Sequence, residues 1–406
     1  MTAPLKRIAE LHVERGRADV DGVLSLDAIE SGTGRLLVDP WVAPVVPPQA
    51  GVADAASGDV LFGKLRPYLA KVIHLDRPVY ASTELMCLRT RAGVDSRWFF
   101  YRMIAQPTVE WAVATSEGTK MPRTSWERLS EFRVHVPAFG KQRAIADYLD
   151  TETARIDALI ARKQRLDALL AERKDAQVAA TFSTIGVNLH QAMASHASLP
   201  KGWRRTTLGR VLTQLTNGYV GPTRDILVES GVQYIQGMHI KGGRIEFERR
   251  PFFVSEEWHR ARPRISLSAG DILIVQTGDI GRVAVVPDDL GPASCHALLI
   301  ARPNRDLVSS AYLGMYLQSS TAWHEMLRLA TGALHPHLEF GIKAVPVLVP
   351  PKSEQANLVV EIRNRQRQID LTRSKLSRQI KLLQEHRQAL ITSAVTGALE
   401  IPEVAS

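Results

Sequence analysis

The chain has 406 residues, 45% of them hydrophobic and 23% charged, an ordinary globular composition with room for two to three domains, each with its own core. Lys and Arg number 51 against 42 Asp and Glu, so the formal charge is +9 and the pI near 9.6, a balance that suits an anionic partner without identifying it. Two cysteines, Cys87 and Cys295, argue against a disulfide framework and for a reducing compartment, and no run approaches the ~20 apolar residues of a membrane span, so the expectation is a soluble cytoplasmic protein with no membrane partner.

Residues 1 to about 140 read as a first globular unit. Gly22-Val23-Leu24-Ser25-Leu26 leads to a Gly-rich turn at Gly32 and Gly34 and then to a Pro-rich surface loop from Pro40 to Pro48. The run SGDVLFGKLRPYLAKVIHL at 57–75 sets a Gly-Asp turn before an apolar, β-branched strand, and Pro67 interrupts the run beyond it. Ala81–Leu88 reads as a further strand and Ser96–Ile104 as a short helix. SEGTKMPRTSWERL at 116–129 reads as a polar loop entering a helical turn.

Phe132, Val134 and Val136 alternate as a half-buried strand does, and Pro137, which has no N–H for a ladder, ends it. A long helical pattern comes next, with Leu149, Ile156, Leu159, Leu166 and Leu170 spaced among Lys, Arg, Asp and Glu. The pattern fades over 176–198, which reads as a connector with Gly186 as a helix stop.

The order then repeats. LPKGW opens the second unit at 199–203, and Gly231-Val232 through Arg244 echoes Gly22-Val23 through Arg35. AGDILIVQTGDIGRVAVV at 269–286 echoes the run at 57–75, and GALHPHLEF at 332–340 stands where GTKMPRTSW stood. A strand at Val345, Val347 and Val349 again meets a proline, and Ile362, Ile369, Leu376, Leu383 and Leu390 recur every seventh residue. Pro137 and Pro350, Gln142 and Gln355, and Asp157 and Asp370 are each 213 positions apart (350 − 137, 355 − 142, 370 − 157). A duplication outranks every local signal. Each helix is roughly 40 residues, about 60 Å at 1.5 Å per residue. Its single apolar stripe needs a partner, and the other copy is the nearest candidate.

No catalytic signature is present. The chain lacks a GxxxxGK[ST] phosphate loop, Gly32-Thr33-Gly34 lacks the third glycine of a dinucleotide fingerprint, and no base-methyltransferase motif occurs. Asp167, Glu172 and Lys174 have a nuclease-like spacing but fall on the heptad helix, which assigns them to its surface. His335-Pro336-His337, with Cys295-His296 and His324, follows no tetrahedral metal spacing. Basic and hydrogen-bonding residues instead cluster at equivalent loops: Lys64, Arg66, Lys71, Lys120, Arg123 and Arg128 in the first copy, and Gln276, Thr277, Arg282, His335, His337 and Lys343 in the second. Arg, Lys and Gln are side chains that pair with purine edges, and Lys and Arg neutralise phosphates. These twelve are the candidate DNA contacts, with a solvated surface as the plainer reading of any one of them.

With the PxxxxQ steps (Pro137 to Gln142, Pro350 to Gln355), the Ile156-Asp157 and Ile369-Asp370 pairs, AGDIL at 269–273, LPKGW at 199–203 and QALITSAVTG at 388–397, the chain resembles the specificity subunit of a type I restriction-modification system along its whole length. The first copy has no clear counterpart of LPKGW, and its helix ends in ATFSTIG. The resemblance implies an α+β fold: two tandem globular α/β target-recognition domains separated and followed by long helices that pair as an antiparallel coiled coil with a pseudo-two-fold axis. The implied bounds are 1–140 and 199–350 for the recognition domains, 141–185 and 351–397 for the spacer helices, 186–198 for the connector and 398–406 for a tail. Each domain would read one half of a bipartite site on double-stranded DNA, while the ten heptad residues named above form the helix seam and dock subunits. The chain itself would be non-catalytic and bind no cofactor or metal. Two modification subunits would use S-adenosylmethionine, and a restriction subunit would use ATP and Mg. The competing expectation is a coiled-coil scaffold that binds protein only.

Overall fold

A computed structural model of the chain describes residues 2–13, 22–42, 53–184, 199–248, 250–332 and 336–402, so the connector at 186–198, with Gly186, lies outside the described residues. The chain forms two compact units, Met1–Arg165 with Leu376–Ser406, and Leu166–Lys375.

In the first unit, strands β1 (Ala9–His12), β2 (Val60–Gly63), β3 (Val72–His74) and β4 (Leu85–Thr90) form a wholly antiparallel sheet in the order β1-β4-β2-β3. The apolar run of β2 lacks a polar face because both of its faces are buried. Val60 and Phe62 enter a core shared with helix α1 (Ser96–Ile104), and Leu61 enters a second core built on Leu24, Ile29 and Leu75. Asp59 anchors the preceding turn. Gly58 adopts φ +88°, the Asp59 carboxylate accepts the Ala56 N–H at 2.8 Å, and the Arg89 guanidinium grips the same carboxylate at 2.8 and 2.9 Å.

The second unit repeats this plan. Strands β5 (Leu212–Asn217), β6 (Ile272–Val275), β7 (Val283–Val285) and β8 (Leu298–Pro303) pair antiparallel in the order β5-β8-β6-β7. Ile272 and Ile274 enter the core beneath α3 (Ser310–Leu317), and Leu273 and Val275 enter the opposite one. Gly270 at φ +83° and Asp271, whose carboxylate accepts the Ser268 N–H at 2.9 Å and meets Arg302 at 3.4 Å, reproduce the earlier turn. AGDIL is therefore a structural signature: glycine supplies the left-handed backbone and aspartate satisfies the turn.

The buried glutamine of each PxxxxQ step has an equally definite task. Gln142 accepts the Asp95 N–H at 2.8 Å and donates to the carbonyls of Pro137 (3.0 Å) and Gly93 (3.3 Å). Gln355 accepts the Ser309 N–H at 2.8 Å and donates to Pro350 (2.9 Å) and Leu307 (3.1 Å). Asp95 and Ser309 cap α1 and α3, so one amide fastens the strand end, the long helix and the capping turn together.

The long helices are α2 (Phe139–Asp175) and α4 (Lys352–Thr396). Within the first unit, Arg387 of α4 bonds Asp157 of α2 at 3.0 and 3.3 Å, and Lys163 donates to Gln379 at 2.8 Å. Within the second, Arg373 bonds Asp167 at 2.8 and 3.0 Å and Lys174 bonds Asp370 at 2.7 and 2.8 Å. The seam expected from the sequence needs correction on α2. Leu149 and Ile156 are buried and Leu170 is half-buried, but Leu159 and Leu166 are 44% and 45% exposed. The inward positions are Ile156, Ile160, Lys163, Asp167, Leu170 and Lys174, spaced alternately by four and three, so charged residues that pair across the seam hold places where leucines one position away were expected. On α4, Ile362, Ile369 and Leu376 are buried, and Leu383 and Leu390 half-buried.

Candidate nucleic-acid interface

The two sheets described above end in the same construction. The loop from Lys64 to Lys71, between β2 and β3, closes against residues 117–124: Thr124 N–H donates to the Lys64 carbonyl (2.9 Å), Arg66 N–H to Pro122 (2.7 Å), and Glu117 and Arg123 exchange backbone bonds of 2.9 and 2.8 Å. In the second unit Leu338 N–H donates to the Gln276 carbonyl (3.0 Å), and Thr331 and His337 exchange bonds of 2.9 and 2.8 Å. Each sheet thus carries a tip of two zipped loops, where side chains can differ without disturbing a core.

On the first tip, Arg66 and Lys120 are exposed and form no ion pair among the described residues. Arg66 and Ala70 both adopt left-handed backbone, φ 50° and 46°, around Pro67, a strain held in place by the bond to Pro122 and by Gly32 N–H donating to Ala70 at 3.1 Å. Arg123 is paired with Glu84 at 2.7 Å, and Arg128 with Glu117 and the Thr115 carbonyl. Lys64 is half-buried, donates to the Thr83 carbonyl at 2.7 Å, and has its pKa drawn below the ordinary lysine value by desolvation. Lys71 is turned inward to the Leu26 carbonyl at 3.0 Å, with Asp27 at 3.8 Å. The structure therefore gathers the six basic residues at one sheet end but leaves only two of them without an internal charge or carbonyl partner.

On the second tip, Thr277 is exposed, Arg282 is exposed and pairs with Asp279 at 3.1 Å, and His337 is half-buried. His335 lies outside the described residues. Gln276 requires a correction. It is 2% exposed, and its amide donates to the Leu338 carbonyl (3.0 Å) and the Asn217 side chain (3.2 Å), so it fastens the tip and presents nothing outward. Lys343 stands exposed on a 3-10 turn (Phe340–Ala344), its ammonium 5.8 Å from the centre of the Phe340 ring. Exposed Tyr68 and Met121 on the first tip, and Val220 beside Asn217, are further surface candidates that charge-based reading passes over. Among the described residues no group of three His, Cys, Asp or Glu is placed to hold a metal ion. The nuclease-like Asp167 and Lys174 are engaged by Arg373 and Asp370, and Arg373 holds the Asp167 carboxyl below its usual range.

The model of the type I restriction modification DNA specificity domain matches residues 52–168, which include the first tip and the start of α2. Over these residues the chain is similar to the DNA specificity domain of type I restriction-modification systems. The chain is 23% identical to the EcoBI specificity subunit of Escherichia coli over 343 residues, spanning 80% of this chain and 71% of that one. It is 24% identical to the StySPI specificity subunit of Salmonella potsdam over 276 residues, 66% and 57% of the respective chains. Its fold is shared with a chain from a study of complex assembly and conformational transition of the type I R-M system (TM-score 0.71, 19% identity, 98% of each chain). It is also shared with the HsdS subunit of Thermoanaerobacter tengcongensis (TM-score 0.54, 19% identity, 98% and 97%). Among the described residues, no helix is long and apolar enough to cross a membrane.

Proposed function

We propose that the chain is a specificity subunit that reads a bipartite site on double-stranded DNA, one half through the tip of each unit, and contributes no catalysis itself. One observation carries the reading: two sheets of identical strand order end in identically zipped loops whose outward residues differ, Arg66 and Lys120 on one and Thr277 and His337 on the other. A shared scaffold with different side chains is what two unlike half-sites require. The recognition domains correspond to 1–140 and 199–350, and the spacer helices, 141–185 and 351–397, form an antiparallel coiled coil about a pseudo-two-fold axis and set the half-site spacing. The exposed Leu159 and Leu166 then belong to a face that docks modification subunits. Two such subunits supply S-adenosylmethionine-dependent methyl transfer, and a restriction subunit supplies ATP- and Mg-dependent cleavage, in the cytoplasm.

The test is a map of methylated bases in DNA from a host carrying the chain with its modification partners. A two-part motif with an unread spacer is the expected result. Methylation without such a motif, or DNA binding by the complex that is indifferent to sequence, would leave a protein-binding scaffold as the better account.

A further inference from the structure

The second unit carries an arginine outside all of the candidate residues above. Asn217, whose side chain accepts from Gln276, is followed by Gly218-Tyr219-Val220, and this segment is locked to the turn before β8: Gly218 N–H donates to Leu298 (2.8 Å), Tyr219 N–H to Cys295 (2.9 Å), and Ala297 N–H to Tyr219 (2.9 Å). It therefore leaves the same end of the sheet as Thr277 and the strand of His337. The Tyr219 ring meets Trp258 edge-on at 5.2 Å, and Trp258 meets buried Tyr234 edge-on at 5.6 Å. Over this aromatic wall lies Arg262, its guanidinium carbon 4.3 Å from the Trp258 ring centre and 5.8 Å from that of Tyr219.

The half-buried Arg262 donates one N–H to the Trp258 carbonyl at 3.1 Å, and among the described residues no carboxylate pairs with it. A guanidinium has five N–H donors in a fixed plane. Stacking on two rings holds that plane while leaving most of the donors uncommitted, which suits a planar acceptor pair such as guanine O6 and N7. Val220, which follows Tyr219 in the chain, is 69% exposed, an apolar contact of the kind that meets a thymine methyl group. The first unit has a stack of its own, Arg77 4.0 Å over the Trp41 ring, but at other positions of the chain: where the second copy has WHRAR, the corresponding Pro-rich stretch at 43–52 reads APVVPPQAGV, without Arg or Trp. An arginine at this position in one copy and not the other fits a residue that makes the two half-sites differ.

We propose that Arg262 is a base-reading residue of the second half-site, pre-oriented by Trp258 and Tyr219; this rests on the bipartite reading above. The experiment compares wild type, Arg262→Ala and Arg262→Lys, each assembled with the modification subunits, by methylation mapping and by DNA binding across a salt series. The wild-type map comes first, because its lack of a two-part motif would overturn the bipartite reading itself. With that motif present, Arg262→Ala is expected to relax one position of one half-site by about ten- to a hundredfold and leave the other half intact. Arg262→Lys is expected not to restore it, since an ammonium has no planar fork. An unchanged motif in either variant overturns the proposal, as does a loss spread evenly over all sequences that lysine repairs, which marks a phosphate contact. Should the alanine variant fail to assemble, the lysine variant decides alone: a retained wild-type motif overturns the assignment and relaxation at one position supports it.

Discussion

Arg387 and Asp157 are joined by two charge-assisted bonds, and two further N–H groups of Arg387 donate to the carbonyls of Gly32 (3.1 Å) and Thr33 (3.0 Å), so one side chain ties both a helix and a loop to α4. The same pair recurs in the second unit with its partners exchanged between helices, since Asp370 is Asp157 plus 213 and Lys174 is Arg387 minus 213 (370 − 157, 387 − 174). The two are unequal in burial. The Arg387 and Asp157 side chains are 7% and 15% exposed, those of Lys174 and Asp370 27% and 44%.

Arg387→Ala is therefore expected to destabilise the first unit by about 3–5 kcal/mol, because it leaves a largely buried carboxylate and two carbonyls without donors. Lys174→Ala is expected to cost about 0–1 kcal/mol, as for an exposed pair. Exchanging the charges, Asp157→Arg with Arg387→Asp, should not rescue stability because the Gly32 and Thr33 carbonyls still lose their donors. Denaturant unfolding of the assembled complex measures all three. Equal losses for Arg387→Ala and Lys174→Ala would contradict the burial argument.

Gln142→Leu is expected to cost about 1–3 kcal/mol, since it leaves the Asp95 N–H and the Pro137 carbonyl without the partner that buried Gln142 gives them. Gln355→Leu should behave alike in its own unit. A thermal shift within experimental error of wild type for either variant would show that these bonds are replaceable.

Burial lowers the pKa of His239 below the ordinary histidine value, partly offset by its bond to the Arg250 carbonyl, and its Nδ1 accepts the Gln236 N–H at 2.9 Å. The neutral ring is thus the folded form. Its contribution is complete above the unfolded pKa of about 6.5 and is lost as pH falls through that value toward the lower folded one. His239→Gln keeps a donor for Arg250 and cannot titrate, so the stability advantage of wild type over this variant should shrink as pH falls from about 7.5 to about 5, across the unfolded value. Parallel stability curves across that range would refute the assignment.

At the tips, His337→Ala should change preference in one half-site only, by about 1–3 kcal/mol if a base contact is lost. Arg66→Ala and Lys120→Ala, which remove exposed unpaired charges, should weaken binding to all sequences and lower the salt dependence by about one counterion each if they touch phosphates. Titration of the complex at several salt concentrations separates the two classes. An identical salt slope for wild type and both variants would exclude phosphate contact.

Lengthening the spacer has to respect the seam. An insertion in α2 alone between Arg162 and Lys163 shifts Asp157 relative to Arg387 while Asp167 stays opposite Arg373, so a matched insertion in α4, after Gln379, is needed. Seven residues in each helix preserve the heptad phase and add about 10 Å at 1.5 Å per residue, or about three base pairs at roughly 3.4 Å each. The expected methylation map has the same two half-sites and a longer unread spacer. An active complex with the original spacer would show that the helices do not set the distance.

The duplication, the strand-to-helix steps and the helix at Ser96–Ile104 are legible in the amino-acid order alone, because backbone rules act locally: proline ends a ladder, glycine takes φ near +85° before Asp59 and Asp271, and apolar periods change from two to seven. The gathering of the basic loop residues at one end of the first unit is legible too, since residues of loops that join neighbouring strands share a place. Which of those residues face outward depends on the folded chain. Gln276 and Lys71 have the composition of surface contacts, but their polar atoms are consumed by Leu338, Asn217 and Leu26, residues up to 62 positions away. The seam was hidden for the same reason. Lys163, Asp167 and Lys174 look like a solvated face until Gln379, Arg373 and Asp370 arrive from the other helix, and a one-residue choice of stripe then turns Leu159 and Leu166 outward. A charge is placed inside or outside by its long-range partner, and that partner is absent from any local window of sequence.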